Sequence, residues 1–146
     1  MFNKKKNIHF IGIGGIGMSA IAAILSEKGF KVSGSDLSEN YIIKKLKKKN
    51  IIVFLNHSKD NLKNVDIVVH SSAIKKNNIE LQFAKKNKIP VYSRAMILAD
   101  VMRLKSSITV SGSHGKTTTT SLIASILESS NYDPTIINGG IINGLD

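Results

Sequence analysis

Apolar positions along this chain alternate between two kinds of segment. Short β-branched runs are separated by longer stretches in which apolar residues recur every three or four positions. The runs predict strands over 7–13, 31–35, 51–55, 65–70 and 90–92. The longer stretches predict helices over 18–28, 41–49, 79–87 and 94–104, with Gly29 as the stop of the first. In the second helix Ile42, Ile43 and Leu46 fall on one face. Strands alternating with helices predict an α/β fold, a Rossmann-like parallel sheet with helices on both faces. A new unit begins near Ser107, with a strand at Ile108-Thr109-Val110, a helical pattern from Ser121 to Glu128 and a strand over 135–138. The expected organisation is therefore a first domain over 1–105, then the first strand–P-loop–helix of a second α/β domain over 106–146. One such unit is too little for a nucleotide-binding domain, so the second domain is expected to be truncated.

The turn inside that second unit carries the sharpest chemistry. Ser111-Gly112-Ser113-His114-Gly115-Lys116-Thr117-Thr118-Thr119-Thr120 joins an apolar strand to a helix. Such a turn presents backbone N–H groups and the positive end of a helix dipole to an anion. Lys116 adds a charge that reaches terminal phosphates, and the Thr117 hydroxyl suits a Mg²⁺ ligand shell. The pattern G-x-x-G-K-T-T-T is shorter than the usual P-loop, which would place a glycine where this chain has Val110. An ATP site is expected over Gly112, Ser113, His114, Gly115, Lys116, Thr117 and Thr118. His114 is expected to orient the loop or touch phosphate rather than act as a base.

An earlier turn has a second phosphate signature. Gly12, Gly14 and Gly17 match G-x-G-x-x-G between a strand and a helix, and Asp36 ends the next strand. In that context the glycines allow close approach to a pyrophosphate, and the acid meets a ribose hydroxyl. Taken alone the motif points to NAD, but a nucleotide sugar has the same pyrophosphate and ribose as a dinucleotide half, so which diphosphate binds stays open.

Composition narrows the class. The 146 residues are 42% apolar with no tryptophan and no cysteine, so a core of Ile, Val, Leu and Ala is expected, without disulfides or thiolate metal sites. No apolar run approaches the ~18 residues of a membrane span. The basic Lys4-Lys5-Lys6 lacks the apolar core of a signal peptide behind it, and a cytoplasmic location with no membrane partner is expected. The net charge of +11 is unevenly spread. Residues 1–105 hold 20 Lys and Arg against 7 Asp and Glu; residues 106–146 hold one lysine against three acids. The lysines come in blocks without interleaved aromatic rings, which fits a solvated surface better than a nucleic-acid face, so no nucleic-acid partner is expected.

The two loops together change the reading, because a dehydrogenase has no use for a Lys-Thr triphosphate loop. His9-Phe10-Ile11-Gly12-Ile13-Gly14-Gly15-Ile16-Gly17-Met18-Ser19, Ser33-Gly34-Ser35-Asp36, Val68-Val69-His70-Ser71-Ser72-Ala73-Ile74, the helix from Ser93 to Met102 and the loop Gly112–Thr120 resemble the Mur ligases, in order, over nearly the whole chain. The G-I-G-G-I-G-M opening resembles their alanine-adding members. The resemblance implies an ATP- and Mg²⁺-dependent ligase of peptidoglycan synthesis. It would join L-alanine to the carboxylate of UDP-N-acetylmuramate through an acyl phosphate. It implies UDP-sugar contacts at Gly14, Gly15, Ile16 and Gly17 for the pyrophosphate and at Asp36 for ribose or uracil. It implies a donor at His57, further contacts at Ser71 and Ser72 on the carboxyl edge of the sheet, and a phosphate or carboxylate clamp at Arg94. Asn56 stands where that family commonly has glycine. Lys116 would neutralise charge on the transferred phosphoryl group and Thr117 would hold Mg²⁺, making these two the catalytic residues present. The acidic metal ligands, adenine pocket and amino-acid-binding domain of that family lie beyond this sequence. The chain alone is thus expected not to complete the reaction. A NAD(P)-binding Rossmann protein is the alternative; it leaves Lys116 unexplained.

Overall fold

The computed structural model describes residues 6–104 and 106–138, which fall into two units, Met1–Lys105 and Ser106–Asp146. In the first unit each of the five expected strands forms: β1 (Asn7–Ile11), β2 (Lys31–Ser35), β3 (Ile52–Phe54), β4 (Ile67–His70) and β5 (Val91–Ser93). All pair in parallel, in the order β3-β2-β1-β4-β5. The order reverses between β1 and β4, and sheets of this kind bind ligands beyond the carboxyl ends of the strands at such a switch.

Four helices connect the strands: α1 (Ile16–Glu27), α2 (Tyr41–Lys48), α3 (Ile79–Lys86) and α4 (Arg94–Met102). A 3-10 turn at Lys59–Leu62, absent from the sequence expectation, precedes β4. Helix α1 packs with α2 and α4, and α3 packs with the 3-10 turn over a core of Ile11, Leu62, Val68, Leu81 and Ala84. The other side of the sheet buries Ile8, Phe10, Ile67 and Val69 completely, as alternation along β1 and β4 requires. α1 buries seven of its residues from Met18 to Leu25, which is why its apolar pattern runs almost all the way round.

Strand β1 stops at Ile11, two residues before its apolar run does. Gly12 turns to φ +80°, and the N–H groups of Gly12 and Ile13 both go to Ser35 O, at 2.8 and 3.1 Å. Ile13 stays fully buried, so the run reads as apolar although its last part is a loop.

In the second unit the phosphate loop is followed by α5 (Lys116–Ser129), longer at both ends than the predicted 121–128. The strands expected at 108–110 and 135–138 do not form: among the described residues of this unit no strand is present. A strand exists by its ladder of hydrogen bonds to a second strand, and neither run forms such a ladder among those residues. Residues 139–146 lie outside the described residues.

Candidate functional site

The crest of the sheet is built around the backbone of one loop. Gly15 is the N-cap of α1, in extended conformation and without a side-chain cap. Its carbonyl accepts from Met18 N–H (3.0 Å) and Ser19 N–H (2.9 Å), so Ile16 and Gly17 carry N–H groups with no intrahelical acceptor. Gly15 and Ile16 are exposed. This is the donor arrangement that suits a pyrophosphate.

Residues from four other segments hold that loop. Asp36 Oδ2 accepts from Gly14 N–H at 2.9 Å and Oδ1 from Leu37 N–H at 2.8 Å. The carboxylate expected to meet a ribose is thus engaged in clamping the glycine loop to the end of β2. Asn40 works from the other side: its Nδ2 donates to Gly14 O (3.1 Å) while its Oδ1 caps α2 at Ile43 N–H (2.9 Å). Ser71, at the end of β4, donates its N–H to Ile11 O (3.1 Å), and its Cβ lies 3.3 Å from where a Cβ on Gly12 would stand. Ser71 Oγ accepts from Ala73 N–H at 3.3 Å, whereas Ser72 is exposed. Arg94, the first residue of α4, lays its guanidinium against Gly17, so closely that a Cβ there would collide with Nη1. Gly14, Gly15, Ile16, Gly17, Asp36, Ser71 and Arg94 are therefore brought together.

His57 reaches the same crest indirectly, through a buried polar cluster that sequence reasoning missed. Glu80, in the first turn of α3, is 0% exposed. Its Oε2 accepts from Ser35 Oγ (2.6 Å) and lies 3.1 Å from His57 Nδ1; its Oε1 accepts from Asn61 Nδ2 (2.7 Å) and Ser58 N–H (3.2 Å). Fully buried His9, on β1, bonds Ser33 Oγ through Nδ1 at 2.9 Å. Its Nε2 has no hydrogen-bond partner and stands 3.6 Å from Glu80 Oε1, an ion-pair separation. Burial raises the Glu80 pKa, but His9, Ser35 and Asn61 outweigh it and bring the carboxyl down to about 2. The signals in the sequence were faint: polar His9, Ser33 and Ser35 at alternate strand positions, and Asn78 as the N-cap that fixes Glu80.

Ser35 joins the two assemblies. Its carbonyl holds Gly12 and Ile13, its hydroxyl belongs to the Glu80 cluster, and the next residue clamps Gly14.

The second unit holds the other loop. Gly112 adopts φ +153° and Gly115 φ +76°, the latter as left-handed N-cap of α5. Thr119 N–H is the first to find the Gly115 carbonyl (2.9 Å), so the N–H groups of Lys116, Thr117 and Thr118 have no intrahelical acceptor. Lys116 Nζ donates to Gly112 O (2.6 Å) and Ser113 O (3.3 Å), folded over its own loop. Residues 111–119, among them His114, are exposed. Among the described residues no cluster of three metal-ligating side chains occurs, and no helix is long and apolar enough to cross a membrane.

A family model described as "Mur ligase family, catalytic domain" matches residues 7–106. The UDP-N-acetylmuramate–L-alanine ligase of Rickettsia typhi is 61% identical over 136 residues, covering 93% of this chain and 27% of that protein. The ligase of the same name from Rickettsia bellii is 58% identical over 138 residues, covering 94% and 29%. Among solved structures, the UDP-N-acetylmuramate–alanine ligase MurC of Thermotoga maritima superposes with a TM-score of 0.86 at 36% identity, over 94% of this chain and 32% of that one. The chain thus spans under a third of the length of the curated relatives it matches. With its parallel sheet, its glycine loop at the switch point and a family match over residues 7–106, the chain belongs to the Mur ligase family.

Proposed function

We propose that this chain supplies the UDP-sugar site and the ATP phosphate loop of a ligase that joins L-alanine to UDP-N-acetylmuramate. The observation that carries the reading is the pairing, in one chain, of the Gly14–Gly17 crest with the Gly115-Lys116-Thr117 helix start. A nicotinamide protein would use only the first, and Asp36 is engaged in holding the loop.

At the crest, the Ile16 and Gly17 N–H groups and the Arg94 guanidinium face the same turn, and together they suit a diphosphate. His57, Ser71 and Ser72 line the carboxyl edge, where the nucleoside and sugar would lie. In the second unit the free N–H groups of Lys116, Thr117 and Thr118 would cradle phosphate oxygens, with Gly112, Ser113, His114 and Gly115 shaping the loop. Lys116 would leave its loop carbonyls for a terminal phosphate, a better partner for an ammonium group. The exposed Thr117 hydroxyl, a hard oxygen, suits Mg²⁺. ATP supplies the phosphoryl group that makes the lactyl carboxylate an acyl phosphate; the alanine amine displaces phosphate and the amide forms. A cytoplasmic location follows from these substrates.

Calorimetric titration with UDP-N-acetylmuramate, with NADH as control, tests the reading. Heat from the UDP-sugar alone is the expected result. Heat from NADH alone would sink it.

A further inference from the structure

We infer that Glu80 is a positioning residue that fixes which ring nitrogen of His57 faces the ligand, presenting Nε2 as a hydrogen-bond acceptor for a hydroxyl or N–H of the bound nucleotide sugar. The inference rests on the crest being the UDP-sugar site.

The proton inventory of the cluster carries it. Three donors, the Ser35 hydroxyl, the Ser58 N–H and the Asn61 amide, point at the Glu80 carboxylate, and its pKa of about 2 makes it an acceptor only. The single proton of the Ser35 hydroxyl goes to Oε2, at 2.6 Å. Toward His57 Nδ1, 3.0 Å away, that hydroxyl can then only accept. Nδ1 therefore meets two acceptors, Ser35 Oγ and Glu80 Oε2, and must itself hold a proton. In the neutral ring, Nε2 is left with a lone pair. This reverses the donor role expected for His57 from the family resemblance.

The ring is anchored along its Nδ1 edge, and its side chain is 12% exposed where that of Glu80 is 0%. The part that meets solvent is thus the edge away from Glu80. Glu80 cannot touch a ligand and acts only through the ring. His9 faces the same carboxylate from β1 on the Oε1 side, where it helps keep Glu80 ionised but does not meet the His57 ring.

Nitrogen-resolved NMR of the histidine rings in this chain, at a pH that leaves imidazole neutral, is the primary test. The expected His57 spectrum is that of the Nδ1–H tautomer; an Nε2–H ring overturns the proposal. The second arm is titration with UDP-N-acetylmuramate. In Glu80→Gln the amide NH₂ can donate to Nδ1, which moves the ring proton to Nε2. Binding should weaken at least tenfold, and the same change in a His57→Ala background should add less than twofold. Equal losses in both backgrounds would mark Glu80 as merely structural and overturn the proposal. A thermal melt checks that Glu80→Gln folds; if it does not, the wild-type ring spectrum decides alone. If the wild-type chain shows the Nδ1–H ring but binds no UDP-sugar, the proposed function fails while the assignment of the ring stands.

Discussion

A methyl group on residue 14 would stand 2.8 Å from Asp36 Oδ2 and 3.0 Å from Asn40 Nδ2. Both atoms are hydrogen-bonded to the backbone of Gly14 itself, so retreat would cost those bonds. Gly14→Ala should lower stability by roughly 1–3 kcal/mol, the usual range for overpacking, and UDP-sugar binding should fall with it. A urea melt indistinguishable from wild type would show that the clamp is looser than described. Glu80 gives a prediction with a sign. Its folded pKa is depressed from 4.5 to about 2. The stability it contributes is therefore fully present above the pH where a free glutamate ionises, and is lost as pH falls from there through 2. That contribution is about 3 kcal/mol by linkage. Urea midpoints of wild type and Glu80→Gln should be far apart at pH 7 and converge toward pH 2; a constant gap would refute it. The glycines and Asp36 were legible in the sequence because their spacing is local to one turn and the next strand. The cluster of His9, Ser35, His57 and Glu80 was not, because its members meet only when three strands and α3 assemble. One at a time His9 and Ser35 read as polar interruptions and Glu80 as a helix-start acid; only His57 stands out, as a ligand contact rather than as a member of a cluster.

Helix ends show the same contrast between local and long-range information. α1, α2, α3 and α5 all close with a residue in the left-handed region, at Gly29, Asn50, Lys88 and Asn131. In each, the following N–H reaches back five residues: Phe30 to Leu25 O, Ile51 to Leu46 O, Ile89 to Ala84 O and Tyr132 to Leu127 O. Glycine and asparagine tolerate that conformation; lysine, at φ 57°, does so poorly. Lys88→Gly should therefore stabilise the chain by up to about 1 kcal/mol, read as a raised melting temperature. A lowered melt would mean that the lysine side chain contributes more than its backbone strain. The central strands β1 and β4 were legible as apolar runs in a buried sheet, and β2, Lys-Val-Ser-Gly-Ser, by its place between the first helix and the next. The runs at 108–110 and 135–138 carry the same signal, yet strand pairing is a property of two segments and cannot be read from one. The 3-10 turn at Lys59–Leu62 left no periodic trace, being four residues long.

For the molecule as a whole, every residue of the proposed UDP-sugar crest lies in Met1–Lys105, and every residue of the ATP loop in Ser106–Asp146. Residues 1–105 prepared alone should keep the affinity of the full chain for UDP-N-acetylmuramate within about threefold, since affinity follows the contacts made. A loss of tenfold or more would mean that the second unit contributes to that site. The excess of lysine belongs to the first unit as well. It can attract an anionic ligand to the crest, an effect that raises association rate and fades with salt. One joint in this arrangement divides substitutions that the loop tolerates from those it does not. Ser35 and Asp36 hold the glycine loop with their backbone and carboxylate and the interior cluster with a hydroxyl. Replacing Ser35 would leave the backbone bonds to Gly12 and Ile13 in place and take only a hydroxyl from the buried cluster, whereas replacing Asp36 would release the Gly14 N–H from its clamp. Sequence change beside the joint is thus best tolerated at exposed Leu37, whose backbone N–H rather than its side chain meets Asp36.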